Sequence, residues 1–167
     1  NLILNHFAQK LGYEYDDQGL IARGGTCDKS LLKELNDIDY YELNPPKSLA
    51  REFTESKLLP LLSNYDEKIV LHTYTKHIGF QIGVSLTKSK ATKCLVTGGG
   101  AYNCFLMDQV QKHTSCFLEI PNHTIIEYKE ALVFALLGLL RNENKINVLS
   151  SVTGATRDHS SGRIAIP

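Results

Sequence analysis

The sequence predicts a helix-rich α/β fold, and three observations carry that prediction. Two short β-prone runs, residues 94–97 and 116–120, alternate with longer segments whose apolar residues recur at helical spacing. Three glycines, residues 98–100, follow the first run directly and lead into another helical pattern. Strands that alternate with helices usually pair in parallel, and ligands bind beyond the carboxyl ends of such strands. The glycine turn is therefore the first candidate for a functional site.

The first forty residues predict three helices. An apolar face spans residues 2–11, and Gly12 follows it at the position where glycine commonly ends a helix. Asp16 is expected to cap a short second helix that ends at Gly24-Gly25, although Gly19 disfavours a helix there. Asp28 is expected to cap a third helix, because an aspartate ahead of an apolar helical pattern can accept hydrogen bonds from first-turn N–H groups.

Two further helices precede the first strand. Ser48 is expected to begin a helix that Pro60 interrupts, because the proline ring clashes with the preceding turn. Asp66 is the expected cap of a long helix. Gly79 and Gly83 lie four residues apart on that helix, and this spacing predicts close packing against another element.

The glycine turn has a functional and a purely structural interpretation. The strand at residues 94–97 is expected to be buried, and the glycines then allow positive φ angles and the close approach of a ligand to backbone N–H groups. The dinucleotide pattern Gly-x-Gly-x-x-Gly is absent, and so is the Gly-Lys-Ser/Thr of a P-loop. By itself, a run of three glycines is more often a tight strand-to-helix turn without a ligand.

After the turn, the pattern predicts a helix, a second strand and an apolar helix. The first of these helices carries Phe105 and Val110 on its apolar face. Residues 124–127 have the form of a capping box for the apolar helix. The apolar run 131–140 is about half the length of a membrane span, so we expect a buried core helix. A last strand is expected at residues 163–166.

Composition excludes some classes of function. The chain has 167 residues, enough for one domain, and its 18 Lys and Arg balance its 18 Asp and Glu. A surface that binds nucleic acid irrespective of sequence would need a basic excess. The start at Asn1, inside a helical pattern, suggests a fragment whose preceding residues are missing.

Cysteines and histidines do not form a recognisable metal site. The four cysteines contain no C-x-x-C pair and have no histidine partner at zinc-finger spacing, so reduced thiols in a cytoplasmic protein are expected (Cys27, Cys94, Cys104 and Cys116). His72 and His77 are five residues apart, which places them off a common helical face. We assign no metal ligands in this chain.

Several short stretches together resemble the C-terminal half of the anhydro-N-acetylmuramic acid kinases. They occur in the family's order over nearly the whole chain: NLILN at 1–5, YD at 15–16 with Gly19 and Ala22, PPKS at 45–48 with RE at 51–52, GGGAYN at 98–103, EA at 130–131 with FA at 134–135, and SVTGA at 151–155. Each stretch is short, but the ordered set is specific. The chain is thereby identified as a member of that family.

The resemblance implies a fold and an activity. The fold would be the helix-rich C-terminal lobe of an actin-like (ribonuclease H-like) ATPase, with residues 1–167 forming a single nucleotide-binding lobe and the N-terminal lobe missing. Members open the 1,6-anhydro bridge of anhydro-N-acetylmuramic acid with water and transfer the ATP γ-phosphate to O6. The product, N-acetylmuramic acid 6-phosphate, belongs to cell-wall (peptidoglycan) recycling. The expected cofactors are ATP and Mg2+, since phosphoryl transfer needs charge neutralisation, and the family is often dimeric.

The chain departs from the family pattern in two places. Residues 47–52 read KSLARE where members often carry KSTGRE, so we assign no role to Leu49 or Ala50. The family's catalytic aspartate lies just ahead of the position that matches Asn1, and its first phosphate loop lies further upstream. Neither is present here, and the fragment alone is therefore predicted to be inactive.

The resemblance also implies site residues. Gly98, Gly99, Gly100 and Asn103 resemble the motif that holds the adenosine and α-phosphate side of ATP, although Asn103 could instead satisfy the first turn of a helix. Glu130 matches a glutamate thought to work with the catalytic aspartate on the sugar and the attacking water; the alternative is an ordinary acid near a helix start. An active-site rim would include Lys47, Ser48, Arg51, Thr153 and Gly154. An ordinary N-cap and ion pair explain the first three equally well.

Three functions remain open from the sequence. The leading one is the nucleotide-binding lobe of a sugar kinase, whose partners are the substrates and the missing lobe, without nucleic acid or membrane. The second is a non-catalytic nucleotide-binding module with the same lobe fold. The third is a helix-rich interaction domain in which the glycine turn is only structural.

Overall fold

The computed structural model describes residues 1–44, 47–49 and 51–165. The chain divides into two compact units, Asn1–Pro121 and Asn122–Pro167. The predicted helix-rich α/β class is confirmed at that level. The whole-chain prediction of one nucleotide-binding lobe stays a prediction.

Short helices dominate the beginning of the first unit. α1 is Leu2–Lys10, α2 is Leu20–Gly24 and α3 is Lys29–Asn36, with 3₁₀ turns at Asp17–Gly19 and Asp39–Glu42. Their apolar faces pack around the long helix α6, Glu67–Lys88. The buried core includes Phe7, Leu31 and Leu71.

The helix ends confirm most of the predicted caps. Gly12 follows α1 with a φ of 87°. The Asp28 carboxylate accepts from Leu31 N at 2.8 Å, and the Asp66 carboxylate accepts from Lys68 N at 2.9 Å. Each cap satisfies N–H groups that have no partner within the helix.

Residues 51–62 differ from the prediction at both ends. Ser48 is not helical, and helix α4 is Arg51–Phe53. A π-helical turn, Thr54–Leu58, continues into α5, Leu59–Leu62, with Pro60 in its first turn. The regular α-helix is therefore interrupted before Pro60, as predicted, but by a change of helix type: Pro60 lies in the first turn of α5, where a residue without an N–H is tolerated. Ala50, to which we assigned no role, lies outside the described residues.

The glycines of α6 confirm the predicted close packing. Helix α7, Cys104–Gln111, lies directly against them. A Cβ placed on Gly79 would lie 2.5 Å from the Gln109 Cβ, and one on Gly83 would lie 2.5 Å from the His113 Cβ. Glycine is therefore required at both positions for the two helices to approach this closely.

A buried polar cluster forms on the opposite side of α6. The His77 side chain is 1% exposed; its Nδ1 lies 2.7 Å from Asn36 Oδ1 and its Nε2 lies 2.9 Å from the Tyr41 hydroxyl. An amide oxygen can only accept, so His77 carries its proton on Nδ1 and accepts from Tyr41 at Nε2. Burial lowers the pKa of His77 to about 4.

The sheet consists of two parallel strands, as predicted, but it is shorter and more exposed. Strand β1, Lys93–Leu95, pairs with β2, Phe117–Glu119. Leu95 is 53% exposed and Phe117 is 62% exposed, so the prediction of a buried strand at residues 94–97 is wrong. A strand of a parallel sheet is buried only when other elements pack against both faces of the sheet. Two strands alone do not supply those covering layers.

The second unit is built around one helix. α8, His123–Asn142, is capped by Asn122, whose side chain accepts from Ile125 N at 3.0 Å. The predicted capping box at residues 124–127 is therefore wrong, because Thr124 already lies within the helix. The cap and the helical start are shifted two residues towards the N-terminus.

The prediction of a buried core helix at residues 131–140 is also wrong. Most apolar side chains of α8 are exposed, including Leu132 at 71% and Phe134 at 70%. A unit this small has too little other surface to cover a helix of this length. No helix among the described residues is both long enough and apolar enough to cross a membrane.

The end of the chain contains a short helix and one β-bridge. Helix α9 is Ser150–Thr153, and Val148 forms an antiparallel bridge with His159. Residues 163–165 do not form the predicted last strand, and residue 166 lies outside the described residues.

Candidate functional site

The glycine turn connects β1 to α7 through a 3₁₀ turn, Gly99–Tyr102. Only Gly98 has a positive φ, 78°, so the expectation of left-handed backbone applies to the first glycine alone. A Cβ on Gly98 would meet no atom within 4 Å, and one on Gly99 would lie 3.4 Å from the Asn1 Nδ2. The outer side of the turn is thus open, and the backbone is accessible to a ligand.

Asn103 ends the turn and caps α7. Its side-chain oxygen accepts from Leu106 N at 2.8 Å, which is the structural role that the sequence left open for it. A Cβ on Gly19 would lie 2.2 Å from the same Asn103 oxygen. Gly19 therefore packs directly against Asn103 and joins the loop at residues 15–19 to the glycine turn.

A cavity of about 680 Å³ lies between this loop and the glycine turn. The volume falls within the ordinary range of sites for small molecules and cofactors, about 300–1,000 Å³. Two of the predicted nucleotide-binding residues, Gly99 and Asn103, line it. The other lining residues are Asn1, Leu4, Asn5, Tyr15, Asp16, Asp17, Gln18, Ala101, Tyr102, Cys104 and Ile120.

The loop at residues 15–19 is a wall of the cavity that the sequence did not predict. The Asp16 carboxylate accepts from Ile21 N at 2.7 Å and from Ala22 N at 2.9 Å, and this fixes the loop to the start of α2. Gln18 has a φ of 53° although it carries a side chain. Such a conformation costs about 1 kcal/mol or more and is often found at functional sites. The signals in the sequence were Gly19 after three polar residues and the family-like YD at residues 15–16.

The charged side chains of the described cavity lining are both negative. Asp16 and Asp17 are its charged side chains, and the described lining includes neither Lys nor Arg. A phosphate in contact with this lining would be held by backbone N–H groups of the glycine turn, as in other glycine-rich anion sites. The remainder of the lining is uncharged and includes the apolar side chains of Leu4, Ala101 and Ile120.

The predicted rim residues of the first unit lie elsewhere. The Lys47 ammonium donates to Tyr40 O and Tyr41 O, each at 3.0 Å. Arg51 Nε donates to Glu55 Oε1 at 2.6 Å on an exposed surface. Ser48 is exposed, and none of these three residues lines the cavity. For Arg51, the geometry is the surface ion pair that the sequence left open.

Glu130, Thr153 and Gly154 belong to the second unit. Glu130 is exposed and lies two turns beyond the start of α8, so the partial positive charge of the helix N-terminus does not reach it. Thr153 Oγ1 donates to Leu149 O at 2.9 Å, and Gly154 ends α9 with a φ of 73°. Their proposed roles in the active site remain predictions.

Comparison with known proteins gives one consistent result. A family model described as "Anhydro-N-acetylmuramic acid kinase" matches residues 1–167. A relative of that name from Sulfurimonas denitrificans is 32% identical, with 98% of this chain and 49% of the relative covered. A relative of the same name from Francisella tularensis subsp. novicida is 32% identical over 93% of this chain and 44% of the relative. Another from Shewanella halifaxensis is 29% identical over 89% of this chain and 42% of the relative. The chain spans about half the length of the curated relatives it matches.

Proposed function

We propose, from the premise that this chain belongs to the anhydro-N-acetylmuramic acid kinase family, that it forms the nucleotide-binding half of an ATP-dependent sugar kinase. The whole protein opens the 1,6-anhydro bond of anhydro-N-acetylmuramic acid and phosphorylates O6. It yields N-acetylmuramic acid 6-phosphate in cytoplasmic peptidoglycan recycling. The observation that carries the proposal is the open glycine turn on the cavity in a chain of this family.

The cavity is a suitable place for the nucleoside side of ATP. Gly98 and Gly99 leave space next to the backbone, and Leu4, Ala101 and Ile120 supply apolar lining for a base. Backbone N–H groups at the turn can meet the α-phosphate, as they do in other glycine-rich loops. Gly100 and Asn103 complete the nucleotide-binding set as the residues that shape the turn and fix α7.

Catalysis requires groups from another lobe. In our proposal, the N-terminal lobe of an actin-like ATPase fold supplies the general-base aspartate, a phosphate loop and most ligands of Mg2+. Asp17 is the one free carboxylate of the described cavity lining. A single carboxylate is too few ligands for this chain to form a magnesium site by itself. Glu130 contributes the acceptor that positions the attacking water, and Lys47, Ser48, Arg51, Thr153 and Gly154 belong to the rim. The active protein is a homodimer.

Binding and turnover separate this proposal from the two other functions. We expect MgADP to raise the melting temperature of the chain, and we expect the full-length kinase to release ADP only when the anhydro sugar is present. A helix-rich interaction domain would show no protection by MgADP. A non-catalytic module would be protected, but its full-length form would not turn over.

A further inference from the structure

We infer that Asp17 recognises the ribose hydroxyls of the nucleotide and thereby selects ribonucleotides over 2′-deoxyribonucleotides. The inference rests on the proposed function, because it places a nucleotide in the cavity beside the glycine turn. It adds a specificity-determining residue from the loop at residues 15–19, a segment with no assigned role.

The two aspartates of this loop have different roles. The Asp16 side chain is 7% exposed, and its two oxygens accept the backbone N–H groups of Ile21 and Ala22. Asp17 is exposed and lines the cavity, and no hydrogen bond within the described residues engages its carboxylate. Asp17 is therefore the carboxylate that remains available to a ligand.

The charge of the cavity decides which part of a nucleotide Asp17 can face. A carboxylate accepts hydrogen bonds and repels phosphate oxygens, and the described lining holds no Lys or Arg side chain that would offset this repulsion. A ribose offers two adjacent neutral donors, its 2′ and 3′ hydroxyls. An acidic residue bonds the ribose 2′-hydroxyl in the same way in dinucleotide-binding folds.

The backbone around Asp17 is held in one conformation. The residues on its two sides are Asp16, with its carboxylate fully used, and Gln18, with a φ of 53°. Gly19 follows with a φ of 72° and packs against Asn103. This loop keeps Asp17 opposite the glycine turn before a ligand arrives, which lowers the entropic cost of binding.

The test is calorimetric titration of the 167-residue chain with ADP and 2′-deoxy-ADP, in EDTA so that no metal bridges the phosphates to a carboxylate. We expect the wild type to bind ADP about tenfold more tightly, as suits a hydrogen bond to a charged acceptor. In Asp17→Asn and Asp17→Ala, we expect the two ligands to bind within about twofold of each other. Glu14→Gln is the matched control, since Glu14 is an exposed acid of the same segment outside the cavity lining.

The outcomes separate the inference from the proposed function. If the wild type binds ADP but both Asp17 variants keep the preference over 2′-deoxy-ADP, the inference is overturned and the nucleotide site stands. If the variants instead lose a preference for ADP over inosine diphosphate, Asp17 contacts the base and the ribose assignment is overturned. If the wild type binds neither nucleotide in EDTA, the inference is overturned, and the proposed function is overturned with it when MgADP also fails to raise the melting temperature.

Discussion

At the scale of single residues, His77 makes the stability of the chain depend on pH in the acidic range. Its ring is neutral in the folded chain because burial lowers its pKa from 6.5 to about 4. The unfolded chain binds a proton near pH 6.5, so this contribution is complete above that pH and is lost as the pH falls towards 4. We expect a loss of about 3 kcal/mol in the free energy of unfolding, from about 1.4 kcal/mol per pKa unit.

Urea unfolding of the wild type and His77→Gln at pH 7 and pH 4.5 measures this contribution. Glutamine does not titrate, so carboxylates and other histidines change both proteins equally. The wild type should lose more stability than the variant over this range. An equal loss would show that His77 is protonated in the folded chain.

Gly99 tests whether the open side of the glycine turn receives a nucleotide. Its φ is not positive, so valine is tolerated by the backbone, and a Cβ would lie 3.4 Å from Asn1 Nδ2. We expect Gly99→Val to weaken ADP binding at least tenfold with little change in melting temperature, because the branched side chain occupies the approach to the backbone.

Gly138→Val is the control for Gly99→Val. Gly138 lies in α8, where an added Cβ would meet no atom within 4 Å, and it lies outside the cavity lining. This change should leave ADP binding unaltered. A folded Gly99→Val chain with wild-type affinity for ADP would show that the glycine is purely structural.

The substitution Glu130→Gln in the full-length kinase distinguishes a catalytic role of this residue from a role in packing. Glutamine keeps the volume of this exposed side chain, so Glu130→Gln should not change the melting temperature. If Glu130 positions the attacking water, kcat should fall about 100-fold, or about 3 kcal/mol in the barrier, with the KM for ATP unchanged. A fall in kcat below about threefold would identify Glu130 as an ordinary surface acid.

At the scale of elements, local chemistry accounts for what the sequence predicts well. Helix caps and glycine helix ends depend on interactions within a few residues, so they can be predicted from the neighbouring sequence. This is the case for the caps Asp28 and Asp66 and for Gly12. Pro60 indicates that the α-helix is interrupted but not how, because the π turn before it has no sequence signature. The capping box failed because the helix begins earlier: Asn122 accepts from Ile125 N, so Thr124 already lies inside the first turn.

The α6–α7 interface gives a prediction at this scale. Gly79→Ala should lower the free energy of unfolding by about 1–3 kcal/mol, since the new Cβ would lie 2.5 Å from the Gln109 Cβ and 2.9 Å from its backbone carbon. Gly138→Ala is the matched control: it adds the same methyl group to a helix where nothing lies within 4 Å. Alanine favours the helix there by about 0.5–1 kcal/mol.

Chemical denaturation of both variants measures the change in the free energy of unfolding that each added methyl group causes. If Gly79→Ala were as stable as Gly138→Ala, α6 and α7 would not be packed at the distance that the structure gives. A loss confined to Gly79→Ala would assign the cost to the interface, because helix propensity changes equally in both.

At the scale of the whole molecule, the cavity shows why a site is harder to predict than an element. The glycine turn can be recognised from consecutive residues in the sequence, but the opposite wall of the cavity is the loop at residues 15–19, about eighty residues earlier in the chain. The packing of Gly19 against Asn103 joins the two segments. The exposure of α8 was missed for a related reason, since an apolar run indicates a preference for burial but not whether a covering surface is available.

We expect residues 1–167 alone to show no kinase turnover. The 167 residues should bind ADP but not phosphorylate the anhydro sugar, because they span about half the length of their relatives and the proposed general base and phosphate loop lie in the other lobe. Loss of a proton-transfer group alone typically costs about 100- to 10,000-fold. A coupled assay for ADP release should therefore show no dependence on the anhydro sugar. Sugar-dependent turnover by this chain, with Gly99→Val abolishing it, would place the complete catalytic machinery within residues 1–167.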